Sequence, residues 1–240
     1  SLEFRHHDSD WRALWDATFF LGSLVPALLV GVALGNVVRG VPMDQQGNYI
    51  GTFWELLNPY SLLVGATGLL LIVQHGAAWI ALKSEGAFHR RALRYRRATF
   101  WTFAALALAT SVATVSAVPR ASDNVFGRPA GWLFLAIVAG GAVLAVVQMH
   151  REGGELGSFL GSAAVIVGLA GIAAVGNFPE MIPARDTPAG TSLTVENASS
   201  GHLTLLVMLI LALLFIPAVL FYTALVYRTF RGKTRAGEID

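Results

Sequence analysis

The chain has 240 residues, of which 55% are hydrophobic and only 13% are charged. A soluble globular domain carries about 25% charged residues, so the composition excludes an ordinary water-soluble enzyme, and it also excludes a charge-rich disordered chain. The lack of cysteine excludes disulfides and cysteine-ligated metal centres. A net charge of only +2 gives no indication of nucleic-acid binding.

Six stretches are apolar enough to cross a membrane, which takes about 20 mainly apolar residues. In chain order, the predicted helices cover residues 14–38, 59–82, 99–118, 130–149, 157–175 and 202–227. The sequence therefore predicts an all-α membrane protein with one transmembrane helical domain over residues 1–240. Because the chain begins with Ser1 and shows no signal-peptide pattern, we expect it to be truncated at its N-terminus.

The basic residues are divided unevenly between the two sets of loops. Four lie in the first, third and fifth loops, namely Arg39, Arg120, Arg128 and Arg185. Thirteen lie in the terminal segments and the other loops, namely Arg5, Arg12, Lys83, Arg90, Arg91, Arg94, Arg96, Arg97, Arg151, Arg228, Arg231, Lys233 and Arg235. Six spans put both ends on one side of the membrane, and the positive-inside rule predicts that this side is the cytoplasm.

Several local patterns predict how the helices begin, bend and pack. Asn58 followed by Pro59 is typical of a helix N-terminus. Pro26 and Pro217 interrupt the first and last helices, which predicts kinks or, alternatively, the broken helices of a secondary transporter. The G-x-x-x-G patterns at residues 31–35 and 157–161 indicate close helix packing. The loop at residues 177–200 is predicted to be a turn-rich surface segment.

Carboxylates are nearly absent from the predicted spans, and three polar side chains there, Gln74, His75 and Asp16, are candidates for a function. His75, next to Gln74, is eight residues from Lys83 and so about 12 Å from the end of its helix. An ionisable residue inside a membrane suggests a function, but the interpretation we favour is a neutral histidine bonded to a neighbouring helix. Asp16 suggests a proton-relay or interface residue, but the interpretation we favour is an interfacial aspartate that the dipole at the helix N-terminus stabilises.

The sequence does not predict that this chain holds a metal or a haem by itself. A protein-bound haem needs an axial ligand that is usually histidine, often with a second histidine or methionine opposite. The predicted spans offer no pair of histidines and no copper-type cluster. These features favour a supporting membrane subunit, and a purely structural assembly protein remains an alternative.

The order of short motifs resembles subunit II of the cytochrome bd-type quinol oxidases. The matching segments are Arg12-Ala-Leu-Trp15-Asp16, Gly22-Ser-Leu-Val-Pro26, Gly31-Val-Ala-Leu-Gly35-Asn36, Gly40-Val-Pro42, Leu56-Leu57-Asn58-Pro59-Tyr60, Gln74-His-Gly76, Lys83-Ser-Glu85-Gly86, Phe178-Pro179-Glu-Met181-Ile-Pro183, Ser192-Leu-Thr194, Ala198-Ser-Ser200, Pro217 and Tyr222-Thr223. They are spread over nearly the whole chain.

The resemblance implies a nine-helix subunit, built from two four-helix bundles and a peripheral helix, of which this chain is similar to the last six helices. It also implies a complex in the bacterial inner membrane that oxidises quinol and reduces oxygen to water without pumping protons. By resemblance, the b-type and d-type haems belong to subunit I, and subunit II holds at most a structural quinone. The implied partners are subunit I, small single-helix accessory subunits, quinol and lipid.

Overall fold

The computed structural model describes residues 9–185, 190–229 and 232. The predicted basic residues Arg5, Arg231, Lys233 and Arg235 lie outside the described residues, as does the side chain of Arg12. The described helices are α1 (Ser9–Arg39), α2 (Pro59–Lys83), α3 (Gly86–Ala117), α4 (Pro119–Phe126), α5 (Pro129–Met149), α6 (Glu155–Asn177) and α7 (His202–Thr229). A short 3-10 helix (Phe53–Leu57) precedes α2, and strands β1 (Glu180–Ile182) and β2 (Leu193–Thr194) pair in antiparallel fashion.

The prediction of six membrane-spanning helices is confirmed within the described residues. Six of the seven α-helices are long and apolar enough to cross a membrane. The exception is α4, which has only eight residues. The start of α2 also follows the prediction, because the Asn58 side chain accepts a hydrogen bond from the Ser61 amide and Pro59 is the first helical residue.

The third helix begins at Gly86 rather than at residue 99, so that prediction of its start is wrong. The basic segment before residue 99 forms the first turns of α3, and only Ser84 and Glu85 separate α3 from α2. Hydropathy underestimates this helix because arginine is polar yet a good helix former. The loop at residues 177–200 likewise contains a small β-hairpin that its turn-rich composition does not predict.

Helices α1, α3 and α6 pack against α2, and α5 packs closely against α6. Buried side chains of α2, α3 and α6 meet at Leu71, Phe103 and Val165. A second core cluster joins α3 to α5 through Phe100, Ala145 and Met149. Helices α2, α3, α5 and α6 therefore form a four-helix bundle, with α1 packed outside α2.

Close backbone contacts explain the G-x-x-x-G patterns. A Cβ atom built on Gly31 would lie 2.7 Å from the Cα atom of Gly65, and one on Gly35 would lie 2.8 Å from the Cα atom of Ser61. A Cβ atom on Gly161 would lie 2.6 Å from the Ala145 nitrogen. These glycines therefore let α1 approach α2 and α6 approach α5, as the sequence predicts.

Helix α7 lies at the periphery of the described structure. None of its residues is buried. One ring contact joins it to α2, between Tyr227 and Trp79, whose ring centroids are 5.7 Å apart. We call the end of the bundle where α2 ends and α3 begins the basic end, and the opposite end, where α1 ends and α2 begins, the loop end.

Candidate functional site

His75 joins α2 to α6 at a partly buried contact. Its Nδ1 atom lies 2.7 Å from the Oγ atom of Ser162, and its ring stacks on Phe159 with the centroids 4.5 Å apart. The Ser162 hydroxyl donates to the carbonyl oxygen of Phe159 at 2.8 Å. The Ser162 oxygen is therefore left to accept from the Nδ1–H of His75. This contact has the form of the helix-to-helix bond expected for a neutral histidine, and a part for His75 in activity stays a prediction.

Gln74, the neighbour of His75, is buried and finds no hydrogen-bond partner in the described part of the chain. Its side chain is only 1% exposed, and neither its amide nitrogen nor its oxygen has a partner among the described residues. The Oγ atom of Ser158 on α6 is likewise buried and has no hydrogen-bond partner among the described residues. Buried polar groups normally form hydrogen bonds, often to ordered water. The half of the bundle nearer the basic end therefore contains buried hydrogen-bonding groups that no described side chain satisfies.

Arg96 is a buried charge that hydropathy alone does not reveal. It is 3% exposed, and its Nη2 atom donates to the carbonyl oxygen of Met149 at 3.4 Å. The signal lies in helical spacing, because Ala92, Arg96, Phe100 and Phe103 recur every three or four residues and are the buried residues of α3. Since Met149 is the last residue of α5, the guanidinium lies at the negative end of that helix dipole.

The third candidate, Asp16, is separate from Gln74 and His75. It lies on the first turns of α1 and is exposed. It forms no hydrogen bond or salt bridge with any side chain that the structure describes. The structure therefore brings Gln74 and His75 together on α2 and leaves Asp16 on a different surface.

A polar network at the loop end ties the helix ends together. Arg120 on α4 donates to the carbonyl oxygens of Val38 at 3.0 Å and Gly176 at 3.3 Å, and it lies 3.3 Å from a carboxylate oxygen of Glu180. Asn177 donates to the carbonyl oxygen of Val37 at 3.2 Å. One arginine thus supplies donors to the last carbonyls of both α1 and α6, which carry the negative ends of their dipoles.

The loop between α1 and α2 carries its own carboxylate-centred turn. The Asp44 carboxylate accepts hydrogen bonds from the backbone amides of Asn48 at 2.7 Å and Gln46 at 2.9 Å, and from the Asn48 side chain at 3.1 Å. These hydrogen bonds, of which the one from the Asn48 backbone is the strongest, lower the pKa of Asp44 below its ordinary value.

The described histidines and carboxylates do not form a metal-ligand cluster. No group of three or more His, Cys, Asp or Glu side chains within the described ranges could hold a metal ion. His75, the one described histidine that lies well inside a span, bonds to Ser162 through Nδ1 and stacks on Phe159. The described helices are also continuous through Pro26 and Pro217, so the broken-helix geometry of the transporter interpretation is not observed.

These features together define a multi-pass helical membrane protein whose described core includes buried polar side chains such as Gln74 and Arg96. Comparison with protein families matches residues 1–230 to Cytochrome bd terminal oxidase subunit II. The chain belongs to this family.

Curated relatives agree with this assignment. The chain is 33% identical to a probable cytochrome oxidase subunit 2 of Haemophilus influenzae, in an alignment that covers 96% of this chain and 68% of the relative. It is 29% identical to cytochrome bd-I ubiquinol oxidase subunit 2 of Escherichia coli, covering 97% of this chain and 69% of the relative. It is 31% identical to cytochrome bd ubiquinol oxidase subunit 2 of Bacillus subtilis, covering 95% and 66%.

Proposed function

We propose that this chain is the supporting subunit of a membrane oxidase that oxidises quinol and reduces oxygen to water. The family match over residues 1–230 is the observation that carries the proposal. The names of the relatives in Escherichia coli and Bacillus subtilis, both ubiquinol oxidase subunits, support quinol as the electron donor. The b-type and d-type haems then belong to the partner, subunit I, which agrees with the absence of a fitting donor set among the side chains described in this chain.

In this proposal the described residues form a scaffold and take no part in the reaction. The glycine contacts hold α1 against α2 and α6 against α5, and the Arg120 network fixes the helix ends at the loop end. A bundle held together in this way supplies a surface that holds a haem-bearing partner in place. A structural quinone in this chain stays a prediction, as do the accessory subunits and the nine-helix architecture.

The orientation follows from the charge distribution. Thirteen lysine and arginine residues are predicted on one side of the membrane and four on the other, so we place the basic end in the bacterial cytoplasm. Protons for water formation are then taken from the cytoplasm, and quinol oxidation releases its protons on the other side. Proton-motive force arises from this separation without a pump.

The decisive experiment is a gentle purification of the complex followed by a reduced-minus-oxidised spectrum with identification of the subunits. We expect b-type and d-type haem bands together with a haem-bearing partner. Quinol-driven oxygen uptake by the same preparation in liposomes should release a proton for each electron that quinol gives up, with no additional release. A preparation without a haem-bearing partner contradicts the proposal, and proton release beyond that ratio contradicts the absence of pumping.

A further inference from the structure

One face of α3 carries a row of exposed arginines that ends in a tryptophan. Arg90, Arg94, Arg97 and Trp101 recur every three or four residues, and all four are exposed. At about 100° per residue they lie within an arc of roughly 60°, and the three arginines span about 10 Å along the helix. We call this surface the Arg–Trp face.

The arginines of the Arg–Trp face are not neutralised within the described part of the chain. None of the three forms a salt bridge with a described carboxylate, whereas His89 and Arg120 each have an acidic partner. The side chains border a groove of about 690 Å³ that Leu93 and Ala98 complete, and no acidic residue lines it. This surface is therefore open and positively charged.

The same face continues as an exposed apolar stripe along the membrane-spanning part of α3. Leu108, Val112 and Val115 follow Trp101 at helical spacing and are 68%, 63% and 53% exposed. From Trp101 to Val115 the stripe is about 21 Å long. An anionic phospholipid has a negatively charged headgroup joined to long apolar acyl chains. The positively charged groove complements the headgroup, and the apolar stripe complements an acyl chain.

We propose that the Arg–Trp face binds an anionic phospholipid, with the phosphate on Arg90, Arg94 and Arg97 and an acyl chain along Trp101 and Leu108. Guanidinium groups form paired, charge-assisted hydrogen bonds with phosphate oxygens. Tryptophan prefers the headgroup level, and basic clusters at the membrane surface attract anionic lipids. An acidic loop of a partner protein would match the arginines alone, whereas a phospholipid matches both the charged groove and the apolar stripe.

The proposal is tested by native mass spectrometry of the intact complex in mild detergent, titrated with phosphatidylglycerol, cardiolipin and phosphatidylcholine. The two anionic lipids should bind more tightly than phosphatidylcholine. Arg94→Gln should weaken their binding about fivefold, and replacing all three arginines by glutamine should weaken it roughly 100-fold. Arg94→Lys should keep part of the affinity, because it preserves the charge but not the planar donor group.

Arg91→Gln is the matched control. Arg91 is also exposed, and its substitution removes the same charge from a different side of α3. It should change lipid affinity less than twofold. Equal effects of Arg91→Gln and Arg94→Gln would mean diffuse attraction to the basic end and would overturn the proposal.

A second measurement does not depend on the triple variant assembling. A phosphatidylglycerol with a photoreactive diazirine in its acyl chain is added to the wild-type complex, and cross-linked peptides are mapped. We expect cross-links in residues 101–115, reduced at least threefold in Arg94→Gln. Lack of cross-links on α3 would show that a partner protein covers the Arg–Trp face, and the lipid assignment would then be wrong.

Discussion

The Nδ1 atom of His75 and the Oγ atom of Ser162 lie 2.7 Å apart and join α2 to α6. The serine hydroxyl is itself committed to the carbonyl oxygen of Phe159. The histidine therefore acts as donor through Nδ1 while its ring packs on Phe159. The side chains of His75, Ser162 and Phe159 therefore form one contact between two helices.

We predict that His75→Ala leaves oxygen consumption largely intact and lowers the stability of the complex. Interhelical hydrogen bonds in membranes contribute about 0.6 kcal/mol on average in double-mutant cycles. A cycle of His75→Ala, Ser162→Ala and the double variant, followed by thermal denaturation, should give a coupling energy of that order.

Two outcomes would contradict this interpretation of His75. If the haem d signal or the activity disappears while the complex assembles normally, His75 has a role that the Ser162 contact does not explain. If the two substitutions are additive in stability, the hydrogen bond contributes nothing measurable.

The second prediction concerns the contact between α1 and α2. Gly31→Ala places a Cβ atom 2.7 Å from the Cα atom of Gly65, and backbone cannot yield as a side chain does. We expect the complex to lose about 1–3 kcal/mol of stability, the usual cost of overpacking. A lower temperature of heat-induced dissociation would report this loss.

Gly22→Ala is the control on the same helix, because a Cβ atom there would lie more than 4 Å from every described atom of the other helices. It should be neutral or slightly stabilising, since alanine is the better helix former. Equal destabilisation by Gly22→Ala and Gly31→Ala would show that loss of backbone flexibility, and not the close contact, decides the effect.

The sequence predicts the long helices well because crossing a membrane demands about 20 apolar residues, and that demand is visible in composition alone. The same criterion fails where a helix leaves the apolar layer. The first turns of α3 are basic and are therefore missed, although arginine and alanine favour helix. The eight-residue α4 is missed because it is short and begins with Pro119, which marks a loop as readily as a helix start.

The polar contacts are predicted least well, because they depend on which helices become neighbours. The position of His75 within a span is visible in the sequence, but its partner Ser162 is 87 residues away in the chain. Arg120 is counted only as a loop charge in the sequence, whereas it contacts the ends of α1 and α6 in the structure. Such contacts follow from tertiary packing, which composition does not encode.

The third prediction concerns Arg120. Arg120→Gln removes a charged donor from the carbonyl oxygens of Val38 and Gly176 and leaves Glu180 without its cation. Hydrogen bonds that involve a charged group contribute about 1.5–3 kcal/mol, so we expect a loss of stability in that range. Arg120→Lys should recover only part of it, since one ammonium group cannot reach both helix ends as the forked guanidinium does.

The measurement for Arg120 is hydrogen exchange at the loop end, with thermal denaturation of the complex alongside. We expect faster exchange at the last turns of α1 and α6 and unchanged exchange in the middle of α5. Arg91→Gln, which removes an exposed arginine at the basic end, serves as the control for loss of charge. The explanation fails if both variants alter exchange at the loop end to the same degree.

The fourth prediction uses the turn around Asp44. Because the hydrogen bonds from Asn48 and Gln46 lower the pKa of Asp44 in the folded chain, its carboxylate stabilises the turn above the unfolded pKa, near 3.8. This contribution is lost as the pH falls through the lower, folded pKa. Asp44→Asn should therefore increase hydrogen exchange of residues 44–50 relative to wild type at pH 6, and the difference should shrink as the pH approaches 3.

Asp123→Asn provides the comparison, because Asp123 is exposed on α4 and its carboxylate accepts no hydrogen bond from the described residues. It should not change exchange in residues 44–50 at either pH. A difference between Asp44→Asn and wild type that is equal at pH 6 and pH 3 would mean that the side chain shape, and not its ionisation, holds the turn. The amides of Gln46 and Asn48 are the ones to follow, since both donate directly to the Asp44 carboxylate and lose their charged acceptor when it is protonated.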